Sequence, residues 1–185
     1  MTDDALPEPP PLAEGADMPD EAEALLDLAE AVLRQAKRQI ATIASAESCT
    51  GGLLSSLLTD IEGCSGLFER GFATYSAEAK AELLGVAPIL IARHGAVSRE
   101  VAIAMVQGAL AHSRAELAVA ITGFAGPAGD RDEEGLVHLA AASRRGTLIH
   151  RESHFGPRGR EQVRLLAARG GLELLGEVLA ADAAA

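Results

Sequence analysis

The chain has 185 residues, 48% of them apolar but with no Trp and one Tyr, which suits a single domain whose core is Ala, Leu, Val and Ile packed as helices on a sheet. The formal net charge of −11 is concentrated: ten acids precede the first basic residue, Arg34, so residues 1–33 carry −10 and the body about −1 (−11 less −10), too little positive charge for a phosphate-backbone partner such as nucleic acid. Two cysteines exclude a disulfide scaffold, and with no basic–apolar leader and no apolar run of roughly 18–20 residues the expected setting is cytoplasmic, with no membrane partner.

Residues 1–19 are rich in Pro, acids and Ala and are expected to form a disordered tail ahead of one domain over 20–185. Asp20-Glu21-Ala22-Glu23 reads as a capping box opening a helix, continued by Leu25, Leu26, Ala29, Val32, Leu33 and Ala36 at helical spacing. Ile40 to Ala46 reads as a strand, Glu47 to Gly52 as a glycine turn, and Leu53 onward as a helix. A second strand spans Phe68 to Tyr75, with Ser76 capping a short helix that stops near Gly85. Ser98 caps another, through about Ser113. Leu117 to Ile121 is a buried strand running into Thr122-Gly123-Phe124-Ala125-Gly126-Pro127, followed by a polar loop over 128–134. Leu136–Ala142 and Leu148–Phe155 read as two strands joined near Arg144-Arg145-Gly146. A last helix runs from about Gly159 towards Ala181, with Gly170-Gly171 as a weak point. The order αβαβααβββα predicts a layered α/β domain with a mixed sheet.

Four constellations carry potential chemistry. At Ser48-Cys49-Thr50-Gly51-Gly52 a strand feeds a glycine turn into a helix, so free N–H groups there favour an anion, either a phosphate or a tetrahedral oxyanion. Ser48 is a candidate nucleophile in that turn, although a Ser or Thr at such a place also serves as an ordinary helix cap. Tyr75 and Lys80 flank the start of the next helix, whose dipole pushes an ammonium towards the neutral form a general base needs. Together with Ser48, Lys80 makes a candidate Ser–Lys pair. Thr122 to Gly126 lies at a strand end, where α/β sheets bind ligands. Arg158, Arg160 and Arg164 offer guanidinium forks for a phosphate. Cys49 is a second candidate nucleophile, as a thiolate at a helix start. His150 and His154 share a strand face without a Cys or acid cluster, so neither a metal nor a cofactor is expected.

The runs Ala46-Glu47-Ser48-Cys49-Thr50-Gly51-Gly52, Phe68 through Ser76 to Lys80, His94-Gly95-Ala96-Val97-Ser98, and Thr122-Gly123-Phe124-Ala125-Gly126-Pro127 closely resemble the CinA C-terminal domain family, in order, over about residues 22–180. The chain resembles the stand-alone form of that family. The resemblance implies a three-layer α/β/α sandwich with a mixed sheet and a homo-oligomer. It also implies a nicotinamide-nucleotide amidohydrolase that converts nicotinamide mononucleotide to nicotinate mononucleotide and ammonia, in pyridine nucleotide recycling. The implied catalytic residues are Ser48 as nucleophile, Lys80 as base and Tyr75 as an assisting group. The implied small-molecule substrate site draws on Thr50, Gly51, Gly52, Thr122, Gly123, Gly126, Arg160 and Arg164. Glu47 is a further candidate, for balancing a pyridinium charge. Two departures stand out: a short loop after Gly126-Pro127, and Arg158-Gly159-Arg160 where the family commonly has Gly-Asp-Arg. A mononucleotide-binding module without turnover is the alternative function.

Overall fold

The computed structural model describes residues 18–126, 129 and 132–185. Over them the chain forms α1 (Met18–Arg38), β1 (Ile43–Glu47), α2 (Leu53–Thr59), β2 (Phe68–Ala73), α3 (Ala77–Leu84), α4 (Pro88–His94), α5 (Arg99–Ala111), β3 (Leu117–Gly123), β4 (Leu136–Ser143), β5 (Leu148–His154) and α6 (Arg160–Ala184). The strands make one sheet in the order β2-β1-β3-β4-β5. β2, β1 and β3 are parallel, while β4 and β5 add antiparallel strands on the β3 side.

Strand alternation sorts side chains to two faces. Leu117, Val119 and Ile121 of β3 pack with Leu25, Val32, Leu54, Leu172 and Leu175 of α1, α2 and α6. Ala118 and Ala120, with Ala140 and Ala142 of β4, pack with Leu84, Val101, Met105 and Val106 of α3 and α5. The result is the expected α/β/α sandwich with a mixed sheet. Alanines on one sheet face leave room for α5 to lie close. Gly108 on α5 faces the end of α3, where a Cβ would sit 2.0 Å from the Leu84 carbonyl oxygen.

Four local readings change. α4 was not expected; Pro88 at its first position and Gly95 at its end are the local signals for it. α1 spans Met18–Arg38, two residues ahead of the expected start at Asp20, whose side chain, and with it the expected capping box, lies outside the described residues, as does the rest of the acidic tail expected over 1–19. Ile40 ends α1 in the left-handed region (φ 53) instead of starting β1, because Ala41 N–H bonds back to Ala36 O at 3.0 Å in a Schellman-like close. Gly170 and Gly171 do not break α6: a Cβ on Gly171 would come within 3.0 Å of Ile121 and 3.2 Å of Leu54, so these glycines bring the helix down onto the sheet. Of the polar loop expected over 128–134, residues 128, 130 and 131 lie outside the described residues. Among the described residues no helix is long and apolar enough to cross a membrane.

β1 lies between two parallel neighbours whose connections leave in opposite directions, β2 through α2 and β3 from across the sheet. Its carboxyl end therefore opens the crevice where α/β sheets place ligands.

Candidate active site

Ser48 N–H continues the ladder by bonding to Ile121 O (2.9 Å), and Gly51 N–H then bonds to Ser48 O (3.1 Å) to close the turn. Gly51 and Gly52 have φ of 61° and 99°, values that glycine adopts without strain. Ser48 is thereby fixed at a cavity of about 250 Å³ lined also by Tyr75, Lys80, Thr122, Gly123, Gly126 and Arg160. A cavity of equal size at the opposite end of the sheet is lined by Gln39, Ile40, Arg145 and Asp182 and contains no comparable nucleophile.

Lys80 is 1% exposed. Ser76 caps α3 by accepting from Ala79 N–H (3.1 Å), which sets Lys80 one turn into the helix, facing the strand ends. Its Nζ lies 2.9 Å from Ser48 Oγ, 2.8 Å from Thr74 O and 3.5 Å from Tyr75 O. Burial pushes the Lys80 ammonium below its ordinary 10.5, opposed only by the nearby Cys49. A neutral amine has two N–H groups and one lone pair. The Thr74 and Tyr75 carbonyls accept the two N–H groups, which leaves the lone pair for the Ser48 hydroxyl proton. Cys49 lines the same cavity, but burial pushes its thiol up to about 11. It therefore stays protonated near neutrality, and the thiolate reading loses its physical basis.

The turn does not offer a vacant anion site of the kind expected. Gly52 and Leu54 N–H both donate to Glu47 Oε2 (3.0 Å each), and Ser55 N–H to Glu47 Oε1 (2.9 Å). Glu47 is 1% exposed, so it fills the start of α2 and does not face the cavity to balance a substrate charge. With Gly51, Gly52 and Leu53 N–H groups engaged, those of Cys49 and Thr50 are the ones in this turn that donate to no other residue among those described, the Cys49 N–H facing its own thiol. The arginines also separate. Arg160 lines the cavity, with its Nη2 within 3.1 Å of where a Gly126 Cβ would sit. Arg164, one helical turn further on, donates to Thr50 O (2.8 Å) and braces the turn from behind. Thr122 donates to Ala96 O (2.8 Å), tying the 95–98 loop to the cavity wall. A Cβ on Gly123 would meet Val137 at 2.7 Å, so that glycine serves strand packing. Tyr75 lies at the cavity mouth, 71% exposed.

The family model described as "CinA C-terminal domain" matches residues 25–179. The chain belongs to this family. Among its relatives, the "Nicotinamide-nucleotide amidohydrolase PncC" of Escherichia coli (strain K12) is 46% identical over 153 residues, covering 82% of this chain and 92% of the relative. The protein of the same name from Shigella flexneri is 47% identical over 137 residues, 72% and 83% of the two chains. The crystal structure of competence/damage inducible protein CihA from Agrobacterium tumefaciens is similar at TM-score 0.81 and 42% identity, covering 83% of this chain and 94% of that one. The CinA superfamily protein of E. coli has TM-score 0.79 at 31% identity, covering 89% and 94%.

Within this CinA-family fold, sequence reasoning missed one contributor to the site, Thr74, and gave another, Glu47, a different role. Thr74 carries the carbonyl that anchors Lys80, and a backbone acceptor has no sequence signal. Glu47 caps a helix from the preceding strand, at offsets of five to eight residues, outside any local capping pattern. Acids do accompany the strand histidines: His154 bonds Glu133 (2.8 Å) and Glu152 (3.0 Å), while His138 and His150 lie 3.2 Å apart. Among the described residues no group of three or more His, Cys, Asp or Glu is arranged to hold a metal ion.

Proposed function

We propose that this chain is a nicotinamide-nucleotide amidohydrolase, hydrolysing nicotinamide mononucleotide to nicotinate mononucleotide and ammonia, with residues 20–185 as its catalytic domain. The reading rests on Ser48 Oγ standing 2.9 Å from a buried Lys80 amine, in a chain whose relatives from two bacteria carry that activity in their names.

Neutral Lys80 takes the Ser48 proton, and Ser48 Oγ attacks the carboxamide carbon. The charged amine is then held by the Thr74 and Tyr75 carbonyls. The oxyanion is received by the N–H groups of Cys49 and Thr50, a kind of donor whose loss costs about 2.7–4 kcal/mol of barrier. Lys80 returns its proton to the departing nitrogen, the C–N bond breaks, and ammonia leaves an acyl ester on Ser48. Water, deprotonated by Lys80, attacks that ester; the C–O bond to Ser48 breaks and the serine recovers the proton. Arg160 supplies a guanidinium for the phosphate, and Tyr75 covers the bound nucleotide at the mouth. Arg164 supports the turn.

Ammonia release from nicotinamide mononucleotide tests this. Ser48→Ala should lower kcat by roughly 10⁴-fold or more, and Lys80→Met by about 10²–10⁴-fold, while calorimetry still detects nucleotide binding to both. Cys49→Ala should keep near-normal turnover. Near-normal turnover by Ser48→Ala, or binding to the unaltered protein without any ammonia release, overturns the reading.

A further inference from the structure

We infer that Glu47 is a positioning residue for this hydrolysis: its carboxylate sets both the turn that carries the nucleophile and the strand end that anchors the base. The inference rests on the amidohydrolase reading and extends it to a residue buried behind the reacting groups.

The N-cap of α2 is Gly52, which has no side chain to cap the helix. Glu47 reaches there from the end of β1, and four donors converge on its two oxygens. Oε2 accepts from Gly52 and Leu54 N–H, at 3.0 Å each. Oε1 accepts from Ser55 N–H (2.9 Å) and Ser55 Oγ (2.5 Å), and Ser55 Oγ in turn accepts from Ser45 Oγ (2.7 Å). Both oxygens face N–H groups, so the site fits a carboxylate with acceptors only. An amide in its place would turn an NH₂ against at least one N–H donor.

The main chain of the same residue reaches the other half of the dyad. Glu47 O accepts from Thr74 N–H (2.8 Å), and Thr74 O accepts from Lys80 Nζ (2.8 Å). Ser48, the next residue, is covalently tied to this point. Ser48 and the anchor of Lys80 are thus held in register by one residue. By taking the α2 amides, Glu47 also leaves Cys49 and Thr50 N–H as the free donors beside Ser48. A shift of the turn by about 1 Å would cost on the order of 10²-fold in rate while leaving Arg160, which is carried by α6, in place.

The test is Glu47→Gln, with kcat expressed per correctly folded molecule from circular dichroism and a melting curve. We expect kcat to fall by about 10²-fold with KM within threefold of the unaltered enzyme. We also expect equal nucleotide affinity by calorimetry when the change is made on top of Ser48→Ala. Ser55→Ala, which removes one of the four donors and keeps the carboxylate, should fold normally and lower kcat several-fold with the same constant KM. It keeps the inference falsifiable should Glu47→Gln fail to fold. Full kcat per folded molecule in Glu47→Gln, or a loss carried by KM in either variant, overturns the positioning role and leaves the amidohydrolase reading intact. An unaltered protein that releases no ammonia overturns both.

Discussion

Lys80 concentrates the chemistry in one side chain. Its amine is held by two carbonyls and a hydroxyl, and burial favours the uncharged form. A base acts when deprotonated, so activity should be lost as pH falls through the lowered value, which lies below the ordinary 10.5. The kcat/KM profile of the free enzyme, measured between about pH 5 and 10, is therefore expected to rise to a plateau. A profile that falls as pH rises across that range would exclude Lys80 as the base. Cys49 titrates on the other side, near 11, and contributes nothing at neutral pH. Ser48 and Lys80 are legible in the sequence because each depends on local order: a glycine turn after a strand, and a capped helix after another. The division of labour between Arg160 and Arg164 is not legible. Both are helix residues four apart, and only the packing of α6 decides that the first reaches the cavity and the second reaches Thr50 O.

Among the elements, those with self-contained signals are found where the sequence puts them. Ser76 and Ser98 cap α3 and α5 through Ala79 and Val101 N–H, because a cap is decided within three residues. α4 has only seven residues and none of them is buried, so hydrophobic periodicity has nothing to report there. The α2 cap comes from Glu47 on another element, which no local pattern encodes. Close approach between helices is equally invisible in a linear reading, and Gly108 shows its consequence. Alanine there gains about 1 kcal/mol of helix propensity, but its Cβ would sit 2.0 Å from the Leu84 carbonyl oxygen, on backbone that cannot swing aside. The overpacking cost of about 1–3 kcal/mol or more should win. Gly108→Ala is expected to lower Tm by roughly 2–4 °C for each kcal/mol of net loss, and a raised Tm would show that α3 and α5 part easily.

At the level of the whole molecule, the mixed sheet explains why the site is where it is. Three parallel strands bring the carboxyl ends of β1, β2 and β3 to one rim, and β5, antiparallel to β4, brings its own carboxyl end to the same side, where the chain passes into α6 and Arg160. The layered class is readable from element order. The pairing of β3 between β1 and β4 is not, since it depends on which faces the alanines and the branched aliphatics choose. The burial of Lys80 has a consequence for the energetics of the entire fold. Opening the protein returns this amine to water and to its ordinary 10.5, so at a pH between the two values the unfolded chain binds more protons than the native one, and stability climbs with pH through that window. Melting should then draw a proton from the solution. At about pH 8, below the ordinary 9.0 of a thiol such as Cys49, the calorimetric heat of unfolding should differ between Tris and phosphate by the difference in their ionisation heats. The same comparison on Lys80→Met should show up to one proton fewer per chain. Identical buffer dependence in the two proteins would mean that the native amine already carries its charge.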